Sequence, residues 1–366
     1  SRATSTGSRR ELVLEDGHWL DSASSALLLA VSRQPAPLLV VVVTRPQEEQ
    51  GALVDDLGWA GYRRLLQAPQ TRRLVLDALP PRDVEALVCE RLGVAAVPEA
   101  VASLIQAKAE GSPLFSEELA YALRDARLIR LVDGRCQLAP GVGDLSSLQL
   151  PDTVHGVITS RIDRLTPAQQ LTLKAASVIG RVFALRILGD VHPMQEAVAV
   201  LLDDLVALQA ANLTALDTPE PDLAYLFKHV ITQEAAYGLM LGSQRRQLHR
   251  SVAEWYERTH AGALAAHAPL LAHHWQAAAV SDKAIGYLEQ ASTQALGTGA
   301  YQEAVRGFSR MLQLDDRPRG PATRRAAPDA PTIRRAGWEH QLGDAYLGLG
   351  QLGPAREHLH AALALL

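Results

Sequence analysis

The sequence predicts a mainly α-helical chain that opens with a partial α/β segment, and three observations carry this. Hydrophobic residues make up 48% of the 366 positions but aromatics only 5%, and Ala and Leu dominate the apolar set, a mixture that favours packed helices over a β-sandwich. Near the start, PLLVVVVTRP is an unbroken run that suits a strand covered on both faces, which implies a parallel sheet with helices on each side. In the last third a helical spacing recurs: Ala304, Phe308 and Met311 return as Ala355, Leu359 and Ala362.

Length and charge bound the rest. The chain is two to three domains long at about 150 residues per domain. Thirty-six basic against forty acidic residues leave a net charge of -4, so no global field draws it to nucleic acid or anionic lipid. Cys89 and Cys136 form no CxxC pair, which excludes a disulfide framework or zinc ribbon and suits a reducing compartment, the cytoplasm by default. The longest apolar runs fall far short of the roughly 20 residues a membrane span needs, and SRATSTGSRR has no apolar signal-peptide core. The expectation is a chain with no membrane partner.

Along residues 1–80, ELVLED reads as a strand, SASSALLLAVSR as a helix, PLLVVVVTRP as a second strand and RRLVLDAL at 72–79 as a third. Residues 81–150 read as helices broken at GVAAVP and GSP, then a small hairpin around Asp133-Gly134. From Pro151 to 240 come helical patterns at 151–165, 167–179 and 194–212, then two strand-like stretches around a Pro-rich turn. Three helices followed by a hairpin is a winged-helix order.

Residues 241–366 are helical throughout. The offset of the recurring pattern is one 34-residue tetratricopeptide period lengthened by the insert DRPRGPATRRAAPDAPT at 316–332. Leu342, Gly343, Ala345, Tyr346, Ala355 and Leu359 sit at spacings that resemble a tetratricopeptide helix pair, with small residues for close approach and Tyr346 and Leu359 filling the gap. The preceding pair, with Ala291, Ser292 and Ala295 at the early positions, fits that pattern poorly, and an ordinary α-hairpin is the plain alternative. The closing LHAALALL is an apolar stripe, from which a longer array in a parent protein is expected. Such repeats imply a protein partner.

In LVLED a strand ejects Glu15 and Asp16 at its carboxyl end, the edge of an α/β sheet where ligands bind; a solvated strand end would look the same. The stretch LVLEDGHWLDSASSALLL, followed by VVVVTRP, resembles the Walker B and sensor 1 pair of STAND-group P-loop ATPases, in the subfamily fused to bacterial adenylate cyclases and LuxR-type regulators. That resemblance implies that Glu15 and Asp16 hold Mg²⁺ and polarise the attacking water, and that Arg45 faces the γ-phosphate. Gly17 departs from the hydrophobic residue usual at its place.

EGSPLFSEELAYALRDARLI at 110–129 resembles the family's GNPFFLEEL segment. On that likeness Gly111 and Pro113 let a helix start against the adenine ring, with Glu117 and Glu118 in its first turn; a plain helix N-terminus accounts for the same residues. LPDTVHGVITSRIDRLTPAQQLTLKAASVIGRVF at 150–183 and YLFKHVITQEAAYGLMLGSQRRQLHRSVAEW continue the resemblance. It implies that His229, ending the second wing strand, touches the β-phosphate of ADP, although a lone histidine on an apolar strand is more often structural. His249, His273 and His274 have no HExxH spacing and no Cys partners and read as helix-surface histidines.

A working ATPase of this class needs a GxxxxGK[ST] loop, whose amides and Lys cradle the phosphates, and none occurs in these residues. The chain therefore reads as a fragment beginning inside the nucleotide domain. Expected cofactors are ATP or ADP with Mg²⁺ in the parent and none bound by the fragment. The expected function is a regulatory ATPase switch in a multidomain cyclase or transcriptional regulator, or else a non-catalytic interaction scaffold. MQEAVAVLLDDLVALQAAN at 194–212 carries Glu196, Asp203 and Asp204 and no Lys or Arg, which argues against direct contact with nucleic acid.

Overall fold

The computed structural model describes residues 2–6, 9–17, 20, 22–32, 38–44, 64–140, 142, 145, 150–194, 198–316 and 329–366. The protein is mainly helical, with three small sheets among those residues. Its contacts gather into two units, one of residues 1–75, 265–272 and 281–366, the other of residues 76–264 and 273–280.

In the first unit, β1 (Arg2–Thr6), β2 (Arg9–Leu14) and β3 (Leu38–Val42) form one sheet in that order, β1 antiparallel and β3 parallel to β2. The parallel pair with its crossover helix α1 (Ser22–Ser32) matches the expectation from sequence. Strand β1 was not foreseen, because SRATSTGSRR is polar throughout. Two expectations fail. β3 is not covered on both faces: Leu39, Val41 and Val43 are exposed, so the run alternates despite being uniformly apolar. Residues 72–79 form no strand; Leu74, Val75 and Leu76 lie in solvent in a segment without regular secondary structure. β-propensity makes a ladder only where a neighbouring edge accepts the backbone, and no described strand offers one.

The same unit holds two helix pairs, α12 (Ser281–Gly297) with α13 (Tyr301–Asp315), and α14 (Asp329–Gly348) with α15 (Leu352–Leu365). Ala304, Phe308, Met311, Ala355 and Ala362 are buried, as the recurrence requires. The last residues of the insert, from Asp329, already belong to α14. A Cβ at Gly343 would stand 2.7 Å from Leu359 Cγ, so the glycine sets the approach of α14 and α15. Tyr346 stacks on His358, ring centroids 5.4 Å apart.

In the second unit, α2 (Pro81–Leu92), α3 (Glu99–Ala109) and α4 (Pro113–Asp125) break at the predicted GVAAVP and GSP. Each of α2 and α3 buries an i, i+4, i+8 stripe, Val84/Val88/Leu92 and Val101/Ile105/Ala109. The hairpin of β4 (Ile129–Val132) and β5 (Arg135–Leu138) turns at Asp133 (φ 48°) and Gly134 (φ 70°), the positive-φ pair a two-residue turn demands. After α5 (Val154–Ile162), capped by Thr153, comes α6 (Pro167–Ile179), which starts in a capping box of Thr166 and Gln169 with Pro167 in its first turn.

Next come β6 (Val182–Ala184), α7 (Leu185–Val191), α8 (Val198–Ala210), β7 (Thr214–Thr218) and β8 (Ala224–Phe227), the three strands pairing in the order β6-β8-β7. This is a winged-helix arrangement, with one correction: its three helices are α6, α7 and α8, while α5 lies outside it. Helix α5 joins two apolar cores. Val157 packs among α2–α4 and the hairpin, and Ile158 and Ile162 pack with α6–α8, the wing, α9 (Val230–Gly238) and α10 (Gly242–Thr259).

Candidate functional site

Glu15 and Asp16 follow β2 directly and are exposed; Asp16 has a φ of 54°. Behind them the chain closes onto β3, with Val43 N–H donating to Leu14 O at 2.8 Å and Gly17 N–H to Val43 O at 2.7 Å. A Cβ at position 17 would stand 2.6 Å from Val42 Cγ1, which explains why glycine occupies this place. Arg45 lies outside the described residues.

Gly111 has a φ of 80° and accepts a hydrogen bond at its carbonyl from Leu79 N–H at 2.9 Å. Any side chain there would strike Leu79 O and Ala78 Cβ, so the residues leading into α2 cover this side of the glycine. Pro113 opens α4, and Ser112 caps it through Phe115 N–H. Glu117 and Glu118 lie beyond the first turn, not in it, and take different partners. Glu117 accepts from Arg91 Nε at 3.0 Å. Glu118 is buried and pairs with Arg161 of α5.

Arg161 is the hub of this region. Its Nε donates to Asp125 at 3.0 Å, its two terminal nitrogens to Glu118 and to Ala211 O, and its guanidinium lies 5.1 Å from the centre of the Tyr121 ring. One arginine thus joins α4 to the chain just after α8. Burial raises the Glu118 pKa against the opposing pull of Arg161.

His229 stands at the N-terminus of α9, its side chain making no cap. Burial lowers its pKa; Glu117 opposes this, and Lys228, Arg181 and Arg91 add to it. The charged groups that reach this imidazole therefore come from α2, from α4 and from the residues flanking β6 and β8. Lys228 Nζ donates to Asn212 Oδ1 at 2.6 Å, and burial, then Arg91, lowers its pKa. Sequence reading found His229 but not Arg91 and Arg181, which lie 138 and 48 residues before it and reach it only through the fold.

The acidic character of 194–212 needs correction. Glu196 lies outside the described residues, and Asp204 faces the core, where it accepts from Thr172 Oγ1 at 2.7 Å. Only Asp203 remains exposed beside Val198, Val200 and Val206.

Of the three histidines read as surface residues, two need correction. His249 on α10 is 2% exposed and His274 on α11 (Ala268–Ala277) 1%, while His273 is exposed. The Nδ1 atoms of His249 and His274 are 2.8 Å apart, and His249 Nε2 is 3.0 Å from the Tyr237 hydroxyl. Burial holds His249 unprotonated to about 4 and His274 to about 3. The one signal in the sequence was a His-His doublet inside the apolar LLAHHWQAA.

Residues 82–137, which span α2 to β5, match a family described as Domain of unknown function (DUF8739). An uncharacterised protein of Rhizobium meliloti (strain 1021) is 26% identical over 313 residues, covering 83% of this chain and 28% of that protein. The chain thus spans under a third of the length of that curated relative. Among solved structures, a Signal Transduction ATPase with Numerous Domains protein with a tetratricopeptide repeat sensor from Pyrococcus horikoshii aligns at a TM-score of 0.49 and 12% identity, over 97% of this chain and 49% of its own. Among the described residues no helix is long and apolar enough to cross a membrane.

Proposed function

We propose that the chain is the regulatory part of a STAND-type nucleotide switch, in a parent that is a multidomain cyclase or transcriptional regulator. The observation that carries this reading is that the Arg91–Glu117 ion pair, Arg181 and Lys228 all lie within electrostatic reach of the half-buried His229. Three cations and one imidazole form a donor set suited to a nucleoside diphosphate, with the Glu117 carboxylate held by Arg91. Bound ADP would hold the α2–α4 layer and the wing together through these groups, and exchange for ATP would release them.

Bound Mg²⁺ would supply charge neutralisation for phosphoryl transfer. Glu15 and Asp16, two exposed carboxylates after a parallel strand, suit that ion's water shell. Arg45 is assigned to the γ-phosphate, and Gly111 and Pro113 to the adenine side, on the sequence resemblance. With no GxxxxGK[ST] in these 366 residues, nucleotide binding by the chain alone is expected to be weak or nil. The helix pairs α12–α15 are the surface proposed for a protein partner.

The test uses a longer version that includes a GxxxxGK[ST] loop. His229→Ala should weaken ADP by about 1.5–3 kcal/mol, the worth of a hydrogen bond to a charged group, and ATP by less, read by calorimetry. Equal effects on the two nucleotides would reject the latch and favour the second reading, a non-catalytic scaffold in which the exposed Glu15 and Asp16 are solvated strand-end residues.

A further inference from the structure

His249, His273 and His274 each offer one ring nitrogen, and these three atoms lie within 4.8 Å of one another. We infer that they form a binding site for a divalent transition metal of the zinc class, independent of any nucleotide. The donor chemistry selects the ion: neutral imidazoles suit zinc, copper or nickel, whereas magnesium and calcium take oxygen ligands. No carboxylate belongs to the cluster.

His249 already has the supporting hydrogen bond that a metal-bound histidine needs. A metal-bound His249 would donate its Nε2–H to the Tyr237 hydroxyl, 3.0 Å away, and present the Nδ1 lone pair to the ion. His274 Nδ1 faces that atom at 2.8 Å. Two nitrogens bound to one tetrahedral zinc at 2.0–2.1 Å lie about 3.3 Å apart, so entry of the ion asks the rings to part by roughly half an ångström. His273, exposed beside them, completes a three-imidazole face and leaves the fourth position to water.

A pair of imidazoles sharing one proton is the competing account of the 2.8 Å contact. With or without the ion, His274 Nε2 stays buried with no hydrogen-bond partner among the described residues. What separates the two accounts is His273: a proton-sharing pair needs no third imidazole, whereas here a third ring nitrogen lies within 4.8 Å of the other two. The ion would tie α10, which carries His249, to the helix carrying His273 and His274.

The experiment uses the full chain, stripped of metal with a chelator and titrated with Co²⁺ alone. A visible absorption band of tetrahedral cobalt, saturating at one ion per chain and displaced by Zn²⁺, is expected. His273→Ala, at an exposed position, should keep the circular dichroism of the parent and lose at least tenfold in Co²⁺ affinity. Tyr237→Phe should lose about 10–100-fold, the usual effect of removing a ligand's supporting hydrogen bond. No saturable binding, or unchanged affinity in His273→Ala, would overturn the site, the latter by showing that others of the twelve histidines hold the ion. Neither result bears on the nucleotide reading.

Discussion

Arg161 and Glu118, 43 residues apart, are ion-paired with side chains only 1% and 2% exposed. Neither charge has water to turn to, and Asp125, Ala211 O and the Tyr121 ring occupy the rest of the guanidinium. The pair ties α5 to α4, and since Arg161 also holds Ala211 O, a pivot of the wing after α5 must break at least that contact.

Removing one partner leaves the other charge buried and uncompensated. Glu118→Leu or Arg161→Met should each destabilise the protein by about 3–5 kcal/mol in urea unfolding. The double variant should recover much of that loss, because an apolar pair strands no charge. Additive losses in the double variant would show that the pair is not the dominant coupling at this site.

How far the sequence carried depended on the range of the cause. The hairpin at 129–138 and the box-capped α6 were readable because Asp133-Gly134 and Thr166-Pro167-Gln169 act within a few residues. β6 and α7 were missed: three and seven residues are too short to show a period. The 72–79 strand failed because pairing needs a second edge, which propensity does not report. For the site, His229 was visible through a motif, but Arg91 and Arg181 become its neighbours only through the fold. Arg161 in SRIDRL reads as an ordinary surface charge until Glu118 faces it.

A DNA role for the wing should fail on charge, although for a different reason than the linear sequence suggests. The exposed residues described on α8 include Val198, Val200, Asp203 and Val206 but no Lys or Arg. We expect no mobility shift of duplex DNA at moderate salt. A shift that weakens steeply as salt rises would contradict this.

ATP hydrolysis by this chain should not exceed that of a Glu15→Ala/Asp16→Ala control, because exposed carboxylates without a phosphate cradle cannot position a nucleotide. Turnover that disappears in the control would show that the cradle is supplied by other residues.

In the repeats, Gly343 is fixed by the approach of Leu359 Cγ and Ala355 O, at 2.7 and 3.3 Å from the place of a Cβ. Gly343→Val should destabilise the α14–α15 pair by about 1–3 kcal/mol, as overpacking does. Leu359→Ala in that background should restore part of the loss, read by chemical denaturation. Additive losses would place the strain elsewhere.

The last prediction concerns His229, whose pKa is lowered by burial and by Lys228, Arg181 and Arg91, and is held up only by Glu117. A histidine with a folded pKa below its unfolded value of about 6.5 binds fewer protons folded than unfolded. Its contribution to stability is therefore complete above the unfolded pKa and is lost as pH falls through the folded one. Glu117→Gln removes the one opposing neighbour, so the His229 pKa should fall further and the interval of lost stability should widen toward acid. A nuclear magnetic resonance titration of the His229 ring proton reads this directly. An upward shift in Glu117→Gln would mean that the carboxylate acts on His229 chiefly by positioning Arg91, its 3.0 Å partner, rather than through its own charge.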